Sequence, residues 1–441
     1  MPPIALGPNI LITNALPMNT GDEALLRGAV NALGKRWPDA QIRVLTKHVQ
    51  RCKEWVPDLT LDTDLEYADG PRTRGIRTWG RPIERWIRRH ETSVRYARVW
   101  GWTERTPNRA RIRRWYQEAD VVVSAPGGFL HDHYGVLDRL HGLEVAMDYG
   151  KPVVLFAQSV GPFWKRASLR AVPRVLNRLS AICVRDEISR EHLLACGVCP
   201  DRIQVTADAA FMLHTQWPGL CRPKTAPVKM IGLSFRPWPT RDARSVRHTM
   251  EKAALLCKRL LAVPGREILF LSTCQGVPGY VDDSALAVRI VDGLSPDPCR
   301  RCRVDREHHD ARSFVESARV CDAFIGMRLH GCLLSMLGGV PAMGLGYEHK
   351  TEQIFTQLGL RDYQVRFDRP VQDWLGCTER FLQDVPVLGP RLPAILQAAA
   401  ERAERTVLAV EAALEGPHRT PVTDGASRPG AGGSPGLRRS A

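Results

Sequence analysis

The chain of 441 residues lacks any apolar run long enough to cross a membrane. A spanning helix needs about 20 consecutive apolar residues, whereas the longest apolar stretches, around residues 121–123 and 333–347, are short or broken by Gly and Pro. The N-terminus also lacks the positively charged start and the small-residue cleavage site of a signal peptide. With 44% hydrophobic and 25% charged residues, the composition predicts a globular protein in the cytoplasm.

The sequence also lacks a disulfide framework. Its 12 cysteines are scattered through apolar contexts such as those of Cys183 and Cys321, which is typical of reduced thiols in a protein core. Two CxxC pairs, Cys196/Cys199 and Cys299/Cys302, lie far apart in the chain, so their spacing does not indicate a joint zinc site. We expect no metal and no cofactor.

What the chain does have is a basic excess, with a net charge of +15. Most of it comes from residues 70–116, which hold fourteen arginines, three glutamates and five tryptophans. This composition leaves three interpretations open: a solvated helical face, a nucleic-acid-binding patch, or a segment that contacts anionic lipid head groups. No nucleic-acid-binding motif accompanies the charge, so we expect no nucleic acid partner, and peripheral contact with the inner face of the membrane stays open.

Strand and helix patterns alternate along the first half, which is typical of a parallel sheet with crossover helices. The predicted strands of this half are residues 9–13, 41–46, 119–124, 153–157, 181–184 and 203–206. Residues 125–128, APGG, are interpreted as a loop, and residues 213–228, rich in X-Pro pairs, as an interdomain linker. We therefore predict a first Rossmann-like domain over residues 1–220.

The alternation begins again in the second half, which we predict to be a Rossmann-like domain over residues 221–415. Its predicted strands are residues 229–235, 267–272, 323–325 and 341–345, and a final helix is predicted over residues 391–414. Residues 416–441 are rich in Gly, Pro, Ser and Arg and are predicted to be a disordered tail. The fold class is therefore α/β, with two doubly wound domains that face a cleft.

Residues 324–331, FIGMRLHG, are the strongest functional signal in the chain. An apolar strand leads into a glycine, and Arg328 and His330 follow ahead of a helical pattern. Ligands of open α/β sheets bind beyond the carboxyl ends of the strands. A guanidinium beside an imidazole at such a place can hold an anion and move a proton. Gly326 and Gly331 flank the pair and are small enough for a ligand to approach closely.

Further cations follow other strands of the predicted sheets. Arg236 comes after residues 232–235, and Lys350 follows the last predicted strand together with Glu348. Arg185 ends the strand before Asp186, so it is either an anion ligand or half of a structural ion pair with that neighbour. Arginine at a strand end can clamp a carboxylate or phosphate through two parallel hydrogen bonds.

Three strand ends of the first half carry polar or glycine-rich segments that are expected to form the other wall of the cleft. The helix at residues 21–33 opens with polar groups that could either bind a hydroxyl or simply cap the helix. The double glycine allows close approach of the backbone to a ligand. The candidate ligand-binding residues here are Asn19, Asp22, Gly127, Gly128, His131 and Gln158.

Taken together, these segments resemble the polysaccharide pyruvyl transferase family. The resemblance is carried by NTGDEAL, SAPGGFLHDHYG, QSVGPF, TADAAF, GLSFR and the FIGMRLHG motif, in that order, and it covers residues 9–360. It implies a fold like that of glycosyltransferases of the B type. It also implies transfer of pyruvate from phosphoenolpyruvate to a sugar of a cell-surface polysaccharide precursor, which forms a ketal.

The resemblance further implies that Arg328 and His330 contact the donor. As hypotheses, Arg328 binds phosphoenolpyruvate with help from Arg236, Lys350 or Arg185, and His330 transfers the proton. The acceptor is then a sugar held by the first half, either lipid-linked or soluble. Two alternatives remain: a glycosyltransferase that uses a nucleotide sugar on the same scaffold, and a non-enzymatic module that binds anions or membranes.

Overall fold

The computed structural model describes residues 7–65, 107–238, 240, 242–275 and 282–416. Within them lie two parallel β-sheets, one from each half of the sequence, with connecting helices. The α/β class is therefore confirmed. Most of the basic segment, residues 70–106, and nearly all of the predicted tail, residues 417–441, lie outside the described residues.

The first half supplies one sheet and its connecting helices. Its strands are β1 Asn9–Ala15, β2 Gln41–Thr46, β3 Thr60–Thr63, β4 Val121–Ser124, β5 Gly127–Leu130, β6 Val153–Val160, β7 Ala181–Val184 and β8 Ile203–Val205. Its helices are α1 Thr20–Arg36, α2 Val49–Trp55, α3 Pro107–Glu118, α4 Val136–Asp148, α5 Arg166–Leu176, α6 Glu187–Ala195 and α7 Leu213–Gln216.

The second half supplies the other sheet. Its strands are β9 Met230–Ser234, β10 Glu267–Phe270, β11 Cys302–Val304, β12 Ala323–Gly326, β13 Ala342–Gly346 and β14 Gln364–Arg366. Its helices are α8 Ala243–Leu261, α9 Ser284–Asp292, α10 Pro296–Arg300, α11 Ala311–Ala318, α12 Leu329–Leu337, α13 His349–Gln357 and α14 Val371–Glu415. Short 3-10 turns cover Pro200–Arg202, Ala209–Met212 and Arg361–Tyr363.

Both sheets have a doubly wound strand order. The first runs β3-β2-β1-β4-β6-β7-β8 with β5 paired to β6, and the second runs β11-β10-β9-β12-β13-β14. In each sheet the direction in which successive strands are added reverses at one place, between β1 and β4 in the first sheet and between β9 and β12 in the second. Such switch points leave a crevice at the carboxyl ends of the strands, where ligands of this architecture bind.

The hydrophobic core is formed by side chains that alternate between the two faces of the buried strands. In β1, Ile10 and Ile12 belong to a hydrophobic cluster on one face of the sheet, and Leu11 belongs to a second cluster on the other face. The first cluster continues through α1 and α14 into the second half. Because a buried strand presents alternate side chains to its two faces, the near-continuous apolar runs in this sequence predict strands covered on both sides.

The last helix is much longer than predicted. It begins at Val371, rather than near residue 391, and contains Pro386, Pro390 and Pro393. Proline normally breaks a helix, because it lacks the N–H group and clashes with the preceding turn. Here Val385, Leu388, Leu392 and Leu396 are buried at helical spacing, and packing of this face opposes the local cost of the prolines.

The first half contains two features that the sequence analysis did not anticipate. Residues 127–130, which include both glycines of the predicted loop, form strand β5, and β6 continues past residue 157 to Val160. The pairing of β6 with β7 shifts register between Leu155 and Gln158, where Ala157 has a φ of 46°. The bulge places Gln158 inside the strand, not beyond its end.

Residues 213–228 contain α7 and then irregular structure. The backbone N–H of Arg222 donates to Gly338 O and that of Lys224 to Gly339 O, so this segment packs on the second half. The division into domains at residue 220 stays a prediction. Among the described residues, no helix combines the length and apolar character that crossing a membrane requires.

Candidate active site

Arg328 and Arg236 lie at the switch point of the second sheet. Arg236 follows β9 and Arg328 follows β12, and these two strands are neighbours. Arg328 is the N-cap residue of α12, and its Nε donates to Asp283 Oδ2 at 2.7 Å. Burial alone would lower the pKa of Arg328, but Cys274 and the Asp283 carboxylate outweigh it and raise that pKa. The guanidinium is therefore a permanent cation.

Arg236 is held by Tyr347, which follows β13. Its Nη1 donates to the Tyr347 hydroxyl at 3.0 Å, and its guanidinium lies 4.8 Å from the centre of that ring. Within the described residues, the buried Nε of Arg236 and Nη2 of Arg328 have no hydrogen-bond partner. Arg328 Nη2 lies 2.6 Å from Asp283 Oδ2, but without the angle of a hydrogen bond. Arg328 Nη2 is thus paired in charge with Asp283, whereas a buried donor without an acceptor, such as Arg236 Nε, is costly, and an anionic ligand would satisfy it.

His330 joins the two halves. It lies on the first turn of α12, and its Nε2 is 3.5 Å from Asp208 Oδ2, which belongs to the first half. Its ring also lies against Gly21 of α1, so closely that an added Cβ on that glycine would be 2.6 Å from Nδ1. The side chain keeps 16% of its surface exposed, whereas Nε2 is buried. The exposed part of the ring is therefore away from Nε2.

Asp208 is the buried centre of this arrangement, with no exposed surface. It accepts from Arg185 Nη1 at 2.6 Å and from the backbone N–H of Ala210 at 3.0 Å. Burial alone would raise the pKa of Asp208, but Arg185 and His330 outweigh it and hold that pKa well below its usual range. Asp208 is thus a fixed anion beside the His330 imidazole.

Arg185 forms a structural ion pair, and its main partner is Asp208, not its sequence neighbour Asp186. Its Nη1 lies 2.6 Å from Asp208 Oδ2, and its Nε is 3.9 Å from Asp186 Oδ2. Its Nε also donates to Ser159 Oγ at 2.7 Å. Arg185 is 1% exposed. In the described structure its guanidinium therefore pairs with Asp208 and is not accessible to solvent.

Lys350 and Glu348 lie beyond β13 and form an ion pair of 2.6 Å. Burial alone would lower the pKa of Lys350, but Glu348 outweighs it and raises that pKa. Across the cleft lies His131 of the first half, which is within electrostatic range of both groups. Burial and the neighbouring His133 lower the pKa of His131, so its imidazole is neutral near pH 7.

The first turn of α1 packs on the second half. The backbone N–H of Thr20 donates to Thr273 O at 3.0 Å, and its hydroxyl donates to His309 O at 2.7 Å. The backbone N–H of Ala311 donates to the buried Glu23 Oε2 at 2.8 Å. These bonds fix the start of α1 against the second sheet, which sets the position of Gly21 beside His330.

The other candidates of the first half have different surroundings. Asn19 caps α1 by accepting from the backbone N–H of Asp22 at 2.9 Å and donating to its carboxylate, so the capping interpretation describes both. Gly128 lies beside Arg185 Nη2, and Gly127 has a φ of 154° that favours glycine. Gln158 is fully buried, and its amide donates to Ser124 Oγ and Ala125 O, so the structure does not bring it to the cleft.

The two flanking glycines of the FIGMRLHG motif have different surroundings. An added Cβ at Gly326 would be 2.8 Å from the Phe324 ring and 3.0 Å from Cys332 Sγ, so packing requires a small residue there. At Gly331 the nearest neighbour would again be Phe324, at 3.4 Å, which is an ordinary contact. Close approach of a ligand to these glycines stays a prediction.

Sequence reasoning missed the two carboxylates that hold the cationic groups. Asp208 follows β8 by three residues, and its position beyond a strand end was a usable signal. Asp283 lies just before α9, and no local pattern distinguishes it from an ordinary helix start. In the described part of the chain, no cluster of three or more His, Cys, Asp or Glu residues could hold a metal ion.

The Asp208–Arg185 pair gives the first prediction. D208N should lower the free energy of unfolding by about 3 kcal/mol, because it leaves the buried Arg185 cation unpaired. The measurement is urea denaturation. The matched control is D297N, since Asp297 pairs with Arg301 at 2.9 Å but is 83% exposed, and it should change stability by about 0.5 kcal/mol or less.

The pH dependence of this stabilisation follows from the lowered pKa of Asp208. Stability from such a carboxylate is full above its unfolded-state pKa of about 3.9 and is lost as the pH falls toward the lower folded-state pKa. The difference between wild type and D208N should therefore be the same at neutral pH and at mildly acidic pH. A difference that vanishes in mild acid, or one no larger than that of D297N, would contradict the role given to Asp208.

The chain is similar in sequence to proteins of polysaccharide biosynthesis. The family model described as Polysaccharide pyruvyl transferase matches residues 19–349, a span that includes Gly21, Asp208 and His330. The amylovoran biosynthesis protein AmsJ of Erwinia amylovora is 26% identical over 366 residues, which cover 80% of this chain and 86% of that protein.

Solved structures share the fold at low sequence identity. The UDP-GlcNAc 2-epimerase of Neisseria meningitidis bound to UDP-GlcNAc aligns with a TM-score of 0.54 and 10% identity, covering 90% of this chain and 98% of that one. HepE of Anabaena in complex with UDP aligns with a TM-score of 0.52 and 13% identity, covering 91% and 97%. These likenesses concern the fold alone, and they confirm two Rossmann-like sheets arranged as in the glycosyltransferase B fold.

Proposed function

The chain belongs to the polysaccharide pyruvyl transferase family, and from this premise we propose that it transfers the enolpyruvyl group of phosphoenolpyruvate to a sugar. The product would be a pyruvate ketal on a precursor of a cell-surface polysaccharide or glycoconjugate, with release of phosphate. A role in polysaccharide biosynthesis is in keeping with the name of the relative AmsJ. We propose that the reaction takes place in the cleft between the two sheets.

One observation carries this proposal: Arg236 and Arg328 follow neighbouring strands at the switch point of the second sheet, with His330 two residues after Arg328, and the buried Nε of Arg236 has no hydrogen-bond partner among the described residues. Phosphoenolpyruvate carries a carboxylate and a phosphate, and planar guanidinium groups bind both through parallel hydrogen bonds. Arg328 and Arg236 would hold these anionic groups, and Lys350 would contribute a further positive charge from the start of α13. The helix N-terminus there also favours an anion.

In the proposed chemistry His330 moves the proton. A proton added to the methylene carbon gives oxocarbenium character at the central carbon, and a sugar hydroxyl attacks that carbon as it loses its own proton. Phosphate then leaves with the C–O bond electrons, and the second hydroxyl closes the ketal and releases another proton. An imidazole can accept and donate protons near neutral pH.

Asp208 would act through His330. Because Nε2 is buried toward this fixed anion, an Nε2–H is favoured and Nδ1 is left to exchange protons with the substrate. The same carboxylate would stabilise the imidazolium that forms when Nδ1 takes a proton. Carboxylates commonly fix the tautomer of a catalytic histidine in this way. We therefore assign Asp208 as a positioning residue.

The acceptor sugar would lie against the first half. His131 is the best placed of the candidates on that side, since it is near Lys350 and Glu348 and its neutral imidazole can bond a hydroxyl. Glu348 is paired with Lys350 at 2.6 Å.

The variant R236K tests the donor site. Lysine keeps the positive charge but loses the planar pair of donors, so the Kd for phosphoenolpyruvate should rise about tenfold, the equivalent of one lost charge-assisted hydrogen bond. Isothermal titration with phosphoenolpyruvate is the measurement. R303K is the control, since Arg303 belongs to β11 of the same sheet and is exposed. Equal affinities of R236K and R303K would contradict the donor site.

A further inference from the structure

An aromatic rim borders the cleft on the side of the first half. It consists of His131, His133 and Tyr134, which follow β5, and Trp164, which precedes α5. Tyr134 is 57% exposed and Trp164 is 50% exposed. Large aromatic side chains are rarely left so open without a partner, and such patches commonly mark binding surfaces.

The rings of the rim form a connected row. The ring centres of His131 and Tyr134 are 4.7 Å apart, and those of His131 and His133 are 5.3 Å apart. The ring of His133 lies 4.7 Å from that of Trp164. All three contacts are edge-on, so the rings pack edge to face and are not stacked face to face.

The backbone beneath the rim is held rigidly by Asp132. This residue is 1% exposed, and its Oδ2 accepts from the backbone N–H groups of both Trp164 and Lys165 at 2.6 Å. Its Oδ1 accepts from Ser168 Oγ, and its carbonyl accepts from Lys165 Nζ. The loop after β5 is thus tied to the start of α5, and the exposed rings are placed by buried bonds.

The rim is continuous with the candidate active site. His131, its innermost member, is half-buried and lies within electrostatic range of Glu348 and Lys350 of the second half. The row of rings then leads outward to Tyr134 and Trp164, which are open to solvent. A molecule that reacts in the cleft and extends beyond it would pass over these rings.

We propose that the aromatic rim binds a second saccharide unit of the acceptor, next to the sugar that receives pyruvate. This inference rests on the proposed function and narrows its substrate class to an oligosaccharide or a glycoconjugate of at least two sugars. Sugars present an apolar C–H face that stacks on an aromatic ring and hydroxyls that bond to polar edges. Trp164 offers such a ring, while the phenol of Tyr134 and the imidazole of His133 offer the polar groups.

A lipid surface is the competing occupant, and the rim suits it less well. Interfacial segments combine aromatic residues with several free cations. Of the described cations beside the rim, Lys165 donates to the carbonyl of Asp132, and Arg166 is exposed at the start of α5. The rim also follows the carboxyl ends of β5 and β6, where ligands of this architecture bind, whereas a membrane would contact an outer face.

The test compares acceptors of two lengths. Phosphate release from phosphoenolpyruvate is measured with methyl hexosides and with methyl glycosides of disaccharides that carry the same hexose at the non-reducing end. W164A should lower kcat/KM for the disaccharide about tenfold and change that for the monosaccharide by about twofold or less, since only the longer acceptor reaches the ring. W164F, which keeps an aromatic face, should retain most of the disaccharide rate.

The matched control is L255A, because Leu255 is 48% exposed but lies on α8 of the second half; it should leave both rates unchanged. Equal losses by W164A on both acceptors, or no loss on either, would overturn the inference. So would a loss that appears only when the acceptor is presented on phosphatidylglycerol vesicles, which would indicate membrane contact.

The two proposals can fail separately. If the wild-type protein releases no phosphate with any acceptor, the proposed function fails. Saturation-transfer NMR with the same disaccharides then tests whether the aromatic rim binds saccharides. Saturation transfer that is strong with wild type and L255A and weak with W164A would support the saccharide site. Transfer that is absent, or equal in wild type and W164A, would overturn it.

Discussion

H330Q should lose turnover by about 10³-fold, because glutamine cannot exchange a proton and general acid–base groups contribute typically 10²- to 10⁴-fold. The effect should fall on kcat, since Arg328 and Arg236 would still hold phosphoenolpyruvate. Glutamine is close to histidine in size and can still donate to Asp208, so the packing between α12 and the first half is largely kept. The measurement is phosphate release under saturating phosphoenolpyruvate, with donor affinity determined separately by titration.

The control for this variant is H248Q on α8. His248 is exposed, so the same substitution there should leave turnover and donor affinity unchanged. Turnover by H330Q within about tenfold of wild type would fall below the range for general acid–base catalysis and would remove His330 from the proton-transfer role. Loss of phosphoenolpyruvate binding with unchanged kcat would instead assign His330 to donor binding.

G21A should lower kcat about 100-fold, although the added group is one methyl. Its Cβ would lie 2.6 Å from Nδ1 of His330, so the imidazole must move away from its position between Gly21 and Asp208. A displacement of about 1 Å in a catalytic group can cost about 10² in rate. The helix itself should tolerate the change, because alanine is the better helix former by about 0.5–1 kcal/mol.

G34A is a closely matched control, since Gly34 belongs to the same helix, α1, and an added Cβ there meets no other atom within 4 Å. It should gain a little stability and keep full activity. The pair thus separates the helix effect, which both variants share, from the contact with His330, which only G21A changes. Activity of G21A within about twofold of G34A would show that the position of the imidazole is not rate-limiting.

The sequence was sufficient to predict the fold and the side of the cleft that the second half forms. Strand ends are readable from apolar runs that stop at Gly or at a cation, and parallel strands bring their carboxyl ends to one edge. Arg236 and Arg328 were chosen on that basis and lie beyond neighbouring strands. What the sequence did not reveal is that their strands flank the switch point, since that depends on strand order.

The side of the cleft that the first half forms was harder to predict, because its geometry depends on tertiary structure. The bulge in β6 at Ala157 buries Gln158, and a bulge has no clear signal in an apolar strand. For Arg185 the sequence left open an anion ligand or an ion pair with Asp186, whereas its closer partner in the structure is Asp208. The contact of Gly21 with His330 joins residues that lie more than 300 positions apart, and no local pattern contains it.

The start of helix α14 was predicted too late in the chain. Pro386 and Pro390 lie just before residue 391, where the predicted helix begins, but the helix begins at Val371. Buried positions at helical spacing run through the proline-containing part, so tertiary packing outweighs local propensity there. Local rules are weakest where an element is buried along much of its length.

The most direct test of the central claim is one ³¹P NMR time course. The wild-type protein is mixed with phosphoenolpyruvate, UDP-glucose and a panel of sugar acceptors in one tube. Our account predicts that the phosphoenolpyruvate resonance decays and that of inorganic phosphate grows, only when acceptor is present, while the UDP-glucose resonances stay constant. Loss of UDP-glucose to UDP with phosphoenolpyruvate unchanged would contradict it and would identify a nucleotide-sugar glycosyltransferase.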